Sequence, residues 1–279
     1  MKTALINILV FCGVGIVVWA ISFLVERLRP IPKAPDRFDW ARELQVAYVY
    51  ILGSELRYVK SRKGTEFLLL LHTLRTQLDL FEKMIPQLSK EFTVYAFDYP
   101  GYGFCDIPTG KYDADMFVQY VEGFMDALNL QQATIVGVSI GASIALGIAG
   151  RRNARVARVV PINPYDYAHG RGMARSSTLG RMITLAADVP FVGETVMRLR
   201  NFGIIKAVFG GGVADSASIP PALVDEMYRV GNRDGHYQAF LSLLRNAHSW
   251  ETANERYRRI EVPVLLLWGS DDWATMAER

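Results

Sequence analysis

The chain begins with a long apolar segment that contains no charge. Residues 4–25 read ALINILVFCGVGIVVWAISFLV, and Asn7 and Ser22 are the only strongly polar side chains among them. A helix of this length, rising about 1.5 Å per residue, spans the roughly 30 Å hydrocarbon core of a bilayer. A buried core helix usually has a polar face, and a cleaved signal peptide usually has a shorter apolar region and a small-residue cleavage site, which WAISFLVE lacks. We therefore expect a retained single-pass membrane anchor over residues 1–29.

The basic residues around this segment predict its orientation. Lys2 is the only basic side chain before it, and five follow it within the next stretch of chain: Arg27, Arg29, Lys33, Arg37 and Arg42. Cytoplasmic flanks carry the excess of Lys and Arg, so the large C-terminal part is expected in the cytoplasm. Three prolines, Pro30, Pro32 and Pro35, predict a stiff, extended linker over residues 30–43.

Beyond the linker, apolar runs of strand length alternate with segments of helical spacing. Strands that are apolar throughout, rather than alternating, are typical of a parallel sheet covered by helices on both faces. Asp113 or Asp115 is expected to cap the clearest amphipathic helix. The predicted strands are two runs around Gly53-Ser54, Phe67–Leu71, and residues 93–97, 131–138 and 156–164; the predicted helices are residues 78–92, 113–130 and the segment from Ile140.

The pattern changes between residues 165 and 259, where helical stretches follow one another without a strand. This predicts a helical lid inserted into an α/β core. The sequence VPVLLLWGSDDWAT, residues 262–275, restores a strand and a loop. We expect residues 44–164 to form the first part of the core, 165–259 the lid, and 260–279 an incomplete second part.

The sequence GVSIG, residues 137–141, lies where an apolar strand meets an Ala-rich helix. A serine hydroxyl is a weak nucleophile, and it needs exposure, a general base and donors for the developing oxyanion. A tight strand-to-helix turn flanked by glycines exposes Ser139, and the helix N-terminus favours negative charge beside it. The N–H of Ile140 is then one oxyanion donor. The alternative is a glycine-rich turn in which the serine caps the helix. A nucleotide-binding loop is not indicated, because residues 137–147 lack a phosphate-loop pattern.

Four motifs in order carry a resemblance to a known family. FLLLLHT (67–73) looks like a strand ending in an oxyanion turn, and FDYPGYGFCD (97–106) resembles a D-x-x-G-x-G-x-S segment. GVSIG resembles a nucleophile elbow, and VPVLLLWGSDD (262–272) a late strand whose loop carries an acid. On these motifs, residues 56–275 resemble the serine-nucleophile, lid-containing branch of the α/β-hydrolase superfamily. The resemblance implies a mostly parallel sheet flanked by helices, and neither a metal nor an organic cofactor.

The resemblance also implies a role for individual residues. Ser139 matches the nucleophile and Asp272 the triad acid, with Asp271 and Asp166 as alternative acids. The N–H groups of Leu74 and Ile140 match the oxyanion hole. Two positions depart from the family pattern, because Thr73 replaces a glycine of the oxyanion turn and Cys105 replaces a serine. We expect Cys105 to be a small buried filler.

The family places its catalytic histidine after the acid, and this chain has none there. Its four histidines, His72, His169, His236 and His248, all precede Asp272. Either the chain is a fragment that stops before the base, or it is a non-catalytic relative. The first explanation is favoured, because the expected closing strand and helix are missing together with the histidine. Loss of catalysis alone would need only one substitution. In both cases we expect very weak or no turnover from residues 1–279.

The expected function is serine hydrolysis of an ester or other acyl substrate. The Met- and Leu-rich lid and the membrane anchor favour a lipid-like substrate, although lid packing alone explains such residues. Serine at the elbow disfavours the dehalogenase and epoxide-hydrolase branches. A net charge of +3 with mixed signs does not suggest nucleic-acid binding, and the two cysteines predict neither a disulfide framework nor a zinc site. The rival interpretation is a non-catalytic, membrane-tethered binding or scaffold protein.

Overall fold

A six-stranded sheet forms the centre of the protein. The computed structural model describes residues 2–61, 64–272 and 274. The strand order is β1-β2-β4-β3-β5-β6, in which β3, β4, β5 and β6 are mutually parallel and the β1–β2 hairpin is antiparallel. The strands are β1 Val46–Ile51, β2 Ser54–Lys60, β3 Phe67–Leu71, β4 Thr93–Phe97, β5 Ala133–Val138 and β6 Val156–Ile162. The mostly parallel sheet predicted from the sequence is confirmed.

The sheet continues past β6 through residues 263–267. The N–H of Leu265 donates to the carbonyl of Val159 at 3.0 Å, and the N–H of Leu267 donates to that of Pro161 at 3.0 Å. The bridges Val159–Val264 and Ile162–Leu267 are parallel. This extended segment is the late strand predicted from VPVLLL, and it brings the loop that carries Asp271 and Asp272 to the carboxyl edge of the sheet.

Helices flank the sheet and make up most of residues 165–259, the predicted lid. In residues 165–259 the structure assigns helices and turns and no strand, as the sequence predicts. Asp113 is the cap of α3, because its carboxylate accepts the N–H of Met116 at 2.9 Å. The helices are α1 Lys2–Arg27, α2 Ile85–Leu88, α3 Ala114–Ala127, α4 Ile140–Gly150, α5 Thr178–Ala187, α6 Val192–Arg198, α7 Phe202–Gly210, α8 Pro221–Val230, α9 His236–Arg245 and α10 His248–Ala253.

The helix predicted over residues 78–92 is wrong as one continuous element. The segment forms a 3₁₀ turn, Leu78–Phe81, and the separate short helix α2. Pro86 explains the break: it has no N–H to donate, and its ring would clash with the carbonyl four residues earlier in a continuous helix. The apolar spacing in this segment nevertheless buries Leu78, Phe81 and Ile85.

Alternate residues of the central strands feed two separate apolar cores. Leu69 and Leu71 of β3 pack into the larger core with α3 and α4, while Leu68 and Leu70 pack into the second core on the opposite face. This is the packing expected of a parallel sheet covered on both faces. Phe38, in the segment expected to be a linker, is 1% exposed and belongs to the second core. The second half of that segment is therefore part of the folded body.

Helix α1 stands out from this body and touches it at its C-terminal end. Residues Leu9–Arg27 have a mean hydropathy of 2.3, and by length and composition they could span a membrane; a signal sequence would meet the same criterion. Near the junction, the Nε of Arg198 donates to the hydroxyl of Ser22 at 2.9 Å. Arg200 donates to both carboxylate oxygens of Glu26, at 2.6 and 3.1 Å. Because Arg198 and Arg200 are 2% and 4% exposed, buried polar contacts join α1 to the lid.

A buried carboxylate organises the loops beneath the carboxyl edge of the sheet. Asp98 is fully buried and accepts the Nε of Arg57 at 2.7 Å, together with the N–H groups of Leu78 and Phe104 at 2.8 and 2.9 Å. Arg57 is also fully buried and reaches Asp79 at 2.7 Å. The two carboxylates raise the pKa of Arg57, although burial opposes them. These bonds explain the aspartate of the FDYPGYG motif.

Strand β5 and helix α4 approach each other more closely than any side chain would allow. A Cβ on Gly137 would lie 2.1 Å from the carbonyl oxygen of Gly141. A Cβ on Gly141 would lie 2.3 Å from the carbonyl oxygen of Leu71 in β3. Both obstacles are backbone atoms, which cannot rotate away. The two glycines of GVSIG are therefore required by packing, and they fix the geometry of the turn between them.

The Gly137→Ala substitution is expected to destabilise the full chain in detergent by about 3 kcal/mol or more, because the new methyl group overlaps backbone. Gly210→Ala is the matched control, since its Cβ would meet only the Cβ of Ser216 at an ordinary 3.4 Å. We expect the control to change stability by about 0.5 kcal/mol or less. Urea unfolding measures both, and equal effects from the two variants would contradict the packing argument.

The Asp98→Asn substitution is expected to cost about 3–5 kcal/mol, because it leaves the buried guanidinium of Arg57 short of one negative partner. Glu66→Gln is the control, since the Glu66–Arg158 pair is exposed and 3.7 Å long. Such a pair contributes about 1 kcal/mol or less. Urea unfolding followed by tryptophan fluorescence compares them, and a near-neutral Asp98→Asn protein would refute the role given to this carboxylate.

Candidate active site

Ser139 occupies the turn between β5 and α4 in a conformation that residues other than glycine rarely adopt. Its φ is 57° and its ψ is −115°. Its N–H donates to the carbonyl of Ile162 at 2.9 Å, which ties the turn to the end of β6. Its hydroxyl makes no capping bond to α4, which removes the alternative of a capping serine. Backbone strain of this kind persists only where the surroundings enforce it, and Gly137 and Gly141 supply that enforcement.

A cavity lies beside Ser139, between the end of the sheet and the predicted lid. Ser139 is half-buried and lines this cavity of about 180 Å³. Among the described residues that line it, four are polar: Thr73, Arg75, Ser139 and Arg200. The others are apolar and come mostly from the lid: Leu74, Met173, Leu179, Ile183, Val196, Met197, Ile204, Ile205, Val208, Phe209, Met227 and Phe240. The arrangement suits an apolar ligand with one reactive or charged group.

The two residues predicted to supply the oxyanion N–H groups, Ile140 and Leu74, belong to the segments that meet at this serine. Ile140 is the first residue of α4, so its N–H has no acceptor within the helix. Leu74 lines the cavity together with Ser139, from the turn that follows β3. Gly141 packs against the carbonyls of Leu71 and His72, so this turn and the elbow are in direct contact. The geometry thus brings Ser139, Ile140 and Leu74 to one place.

His72 is a structural residue of the oxyanion turn. It is fully buried, its Nδ1 donates to the carbonyl of Thr73 at 2.9 Å, and its Nε2 accepts the N–H of Tyr99 at 3.2 Å. Burial, as the main cause, lowers the pKa of His72 to about 4, so the ring is neutral at pH 7. Because both ring nitrogens are engaged, His72 cannot take a proton from Ser139.

The other three histidines are two exposed rings and one buried ring. His169 is exposed and pairs with Glu251 at 2.6 Å, and His248 is exposed at the start of α10. His236 is buried against Tyr102, and burial lowers its pKa well below the usual value, with help from neighbouring arginines such as Arg75. The described residues that line the cavity of Ser139 include none of the four histidines.

The candidate acids follow neighbouring strands at the same edge of the sheet. Asp166 comes four residues after β6, lines a second cavity with Tyr257, and accepts a hydrogen bond from that tyrosine. Asp272 is half-buried in the loop after residues 263–267, and its N–H donates to the carbonyl of Gly269 at 3.3 Å. Asp271 is exposed and accepts the hydroxyl of Ser270 at 3.2 Å. The structure does not bring any of the three to the wall of the Ser139 cavity.

The two departures from the family pattern have different consequences. Cys105 is fully buried, its thiol donates to the carbonyl of Asp98 at 2.7 Å, and burial raises its pKa well above the usual range. It is the inert filler that the sequence predicts. Thr73 lies in the cavity wall, and its carbonyl accepts the hydroxyl of Thr76 at 2.9 Å. A side chain is thus accommodated where relatives of this pattern have glycine.

Arg75 is the residue of this site that sequence reasoning missed. It follows Leu74 in the oxyanion turn, has a φ of 57°, and lines the cavity of Ser139. A single arginine in a polar turn gives no sequence signal, because its burial depends on lid residues more than 100 positions away. As for metals, the described residues contain no group of three or more His, Cys, Asp or Glu side chains that could hold an ion.

Comparisons with known proteins agree with this architecture. Residues 66–277 match the α/β hydrolase fold family. An uncharacterized hydrolase of Saccharomyces cerevisiae, YNR064C, is 24% identical over 215 residues, which cover 75% of this chain and 74% of that protein. The 2-hydroxy-6-oxo-2,4-heptadienoate hydrolase of Pseudomonas putida is 27% identical over 195 residues, 68% of this chain and 64% of that protein.

A solved structure shows the same fold. The haloalkane dehalogenase DbeA from Bradyrhizobium elkani superposes with a TM-score of 0.71 at 20% identity, over 84% of both chains. At this identity the likeness concerns the fold alone. The matched family spans most of the chain, residues 66–277, and includes the turn at Ser139. The chain therefore belongs to the α/β-hydrolase family.

Proposed function

We propose that this protein is a membrane-anchored serine hydrolase that acts on an ester or other acyl substrate. One observation carries the proposal: Ser139 lies in a strained turn, makes no capping bond to α4, and lines an apolar cavity together with Leu74. Membership of a hydrolase family supports an enzyme, and the apolar wall supports a substrate with a hydrocarbon part.

In the proposed mechanism, Ser139 attacks the carbonyl carbon of the substrate. The N–H groups of Ile140 and Leu74 stabilise the negative charge on the tetrahedral intermediate, and the positive end of α4 adds to this stabilisation. The intermediate expels its leaving group, and water then releases the acyl group from Ser139. No described side chain of residues 1–279 is placed to accept the serine proton, so the mechanism requires a base that these residues do not bring to Ser139.

Asp272 is proposed as the acid that orients the base. It lies in the loop after the extended segment 263–267, at the same carboxyl edge as Ser139. Asp166 is the alternative, but its carboxylate already accepts the phenol of Tyr257. Asp271 is the weaker neighbour, because its side chain is exposed.

Membrane attachment through residues 4–25 is part of the proposal. A signal sequence that is cleaved does not need polar contacts with the mature protein, whereas Ser22 and Glu26 are bonded to Arg198 and Arg200 of the lid region. Those contacts support a retained helix. The excess of basic residues after the helix supports a cytoplasmic catalytic domain, close enough to the bilayer to receive a lipid-like substrate.

A second candidate function is a non-catalytic, membrane-tethered binding or scaffold protein. The specific observation in its favour is that both nitrogens of His72 are engaged in the turn, and that none of the four histidines is among the described residues lining the cavity of Ser139. Under this alternative the cavity binds a ligand without turning it over.

A fluorophosphonate probe distinguishes the two candidates. We expect the full chain of residues 1–279 to be labelled slowly at Ser139 and to be labelled faster when imidazole is added, because free imidazole substitutes for an absent base. A positioned base contributes roughly 10²- to 10⁴-fold, so labelling without imidazole should be slow by a factor in this range. Peptide mass spectrometry identifies the labelled residue.

Two variants control this experiment. Ser139→Ala should abolish labelling, and Ser270→Ala, which removes an exposed hydroxyl from the Asp272 loop, should leave it unchanged. A folded wild-type chain that stays unlabelled even with imidazole would favour the scaffold alternative.

Carbonate extraction tests the anchor. We expect the full chain to remain in the membrane pellet, because the uncharged residues 4–25 span the hydrocarbon core. The double variant Val17→Lys, Val18→Lys should move into the soluble fraction, since each lysine near the centre of a span costs about 2.5–3.5 kcal/mol. Release of the wild-type chain by carbonate would contradict the proposed attachment.

A further inference from the structure

Arg75 is a cation without a counterion on the wall of the Ser139 cavity. In the part of the chain that the structure describes, its guanidinium has no ion pair, and its Nε and Nη2 are buried with no hydrogen-bond acceptor. Its guanidinium carbon lies 4.8 Å from the centre of the Phe240 ring. A buried charge normally has a paired and hydrogen-bonded partner, because removing it from water is costly. Arg75 lacks that partner among residues 2–61, 64–272 and 274.

The residues around Arg75 add further positive charge to the cavity. Arg200 lines the same cavity, and its Nε also lacks an acceptor. Glu26 is bonded to Arg200 and to Arg29, so one carboxylate serves two cations before Arg75 is counted. Neither aspartate nor glutamate is found among the described residues that line the cavity. The site therefore has an excess of positive charge that an anionic ligand would neutralise.

Arg75 remains charged at neutral pH. Burial is the main cause that lowers its pKa, to about 10, and the nearby charges of Arg200 and Arg29 lower it further in the same direction. A pKa of about 10 still leaves the guanidinium protonated at pH 7. A bound anion would raise the pKa of Arg75 again, because it would supply the missing negative charge.

The backbone of Arg75 supports a role in binding. Its φ of 57° is uncommon for a residue with a side chain, and strained positions of this kind cluster at ligand sites. The position is two residues after Thr73 and one after Leu74, in the turn that faces Ser139. The side chain therefore projects from the oxyanion turn itself, at the reacting end of the cavity.

We propose that the acyl substrate carries a carboxylate of its own, and that Arg75 binds this carboxylate while Ser139 attacks the ester carbonyl. The Nε and Nη2 groups of a guanidinium lie along one edge, and two parallel N–H donors on that edge match the two oxygens of a carboxylate. Because Arg75 makes no hydrogen bond with the described residues, its edge can turn toward the ligand. Arg200 adds its free Nε, and the lid residues enclose the hydrocarbon part.

The proposal rests on the proposed function and narrows its substrate to half-esters of dicarboxylic acids or close equivalents. Hydrolysis adds water across the ester bond and yields a dicarboxylate, an alcohol and a proton. Ser139 forms and then loses the acyl bond, so no further reactant is required.

Ligand binding tests the proposal independently of turnover. Monomethyl adipate, which is anionic, and dimethyl adipate, which is neutral, are titrated calorimetrically into the full Ser139→Ala chain in detergent. We expect the anionic half-ester to bind about 10- to 100-fold more tightly, as hydrogen bonds to a charged group imply. Because Ser139 is absent, failure of the serine mechanism leaves this result unaffected.

Variants in the same Ser139→Ala background assign the preference to Arg75. Arg75→Met should remove it, Arg75→Lys should retain part of it, and Arg181→Met, which deletes an exposed lid arginine, should leave it intact. If Arg75→Met does not fold, Arg75→Lys alone decides, because a preference equal to that of wild type would show that the guanidinium edge is not used. Equal affinity for the two adipates in wild type would overturn the proposal.

Discussion

The close contact of three backbone segments is the constraint on which this site depends. Gly137 of β5, Gly141 of α4 and the carbonyl of Leu71 at the end of β3 approach within distances that leave no room for a Cβ. The chain can make this approach only if it reverses within the few residues between the two glycines. Ser139 is therefore held at a positive φ, and its side chain does not cap the helix. The strained turn persists because packing forbids the relaxed alternative.

The same contact connects the serine to the rest of the cavity. The turn after β3 carries His72, Leu74 and Arg75, and it rests on the elbow through Gly141. His72 fixes the turn by bonding to Thr73 and to Tyr99. On the far side, Arg200 belongs both to the cavity wall and to the ion pair with Glu26 at the end of α1. The helix proposed to anchor the protein is thus bonded to a residue that lines the cavity of Ser139. In the proposed arrangement this bond places the predicted lid next to the bilayer.

Local patterns predict much of this structure, and long-range contacts account for what they miss. Apolar strand runs, the amphipathic spacing of α3 and the glycines of GVSIG are local signals, and they place the sheet, the cap at Asp113 and the elbow at Ser139. Pro86 breaks the helix predicted over residues 78–92. The prediction missed this break because the apolar spacing around the proline indicated one continuous helix. Arg75 could not be found in this way, because its burial is created by lid residues such as Phe240. The bond between Ser22 and Arg198 joins positions 176 residues apart. The roles of Asp272, Asp166 and Asp271 stay proposals. The strand pattern predicts that they lie at the carboxyl edge of the sheet, but it does not predict that they share a cavity with Ser139.

A structure of the chain after reaction with an alkyl phosphonate would test the central claim most directly. The account predicts a covalent bond from the Oγ of Ser139 to phosphorus, with the phosphonyl oxygen about 2.7–3.1 Å from the N–H groups of Ile140 and Leu74 and the alkyl chain among the lid residues. An adduct on another residue, or a Ser139 hydroxyl turned away from the cavity with those two N–H groups pointing elsewhere, would contradict it.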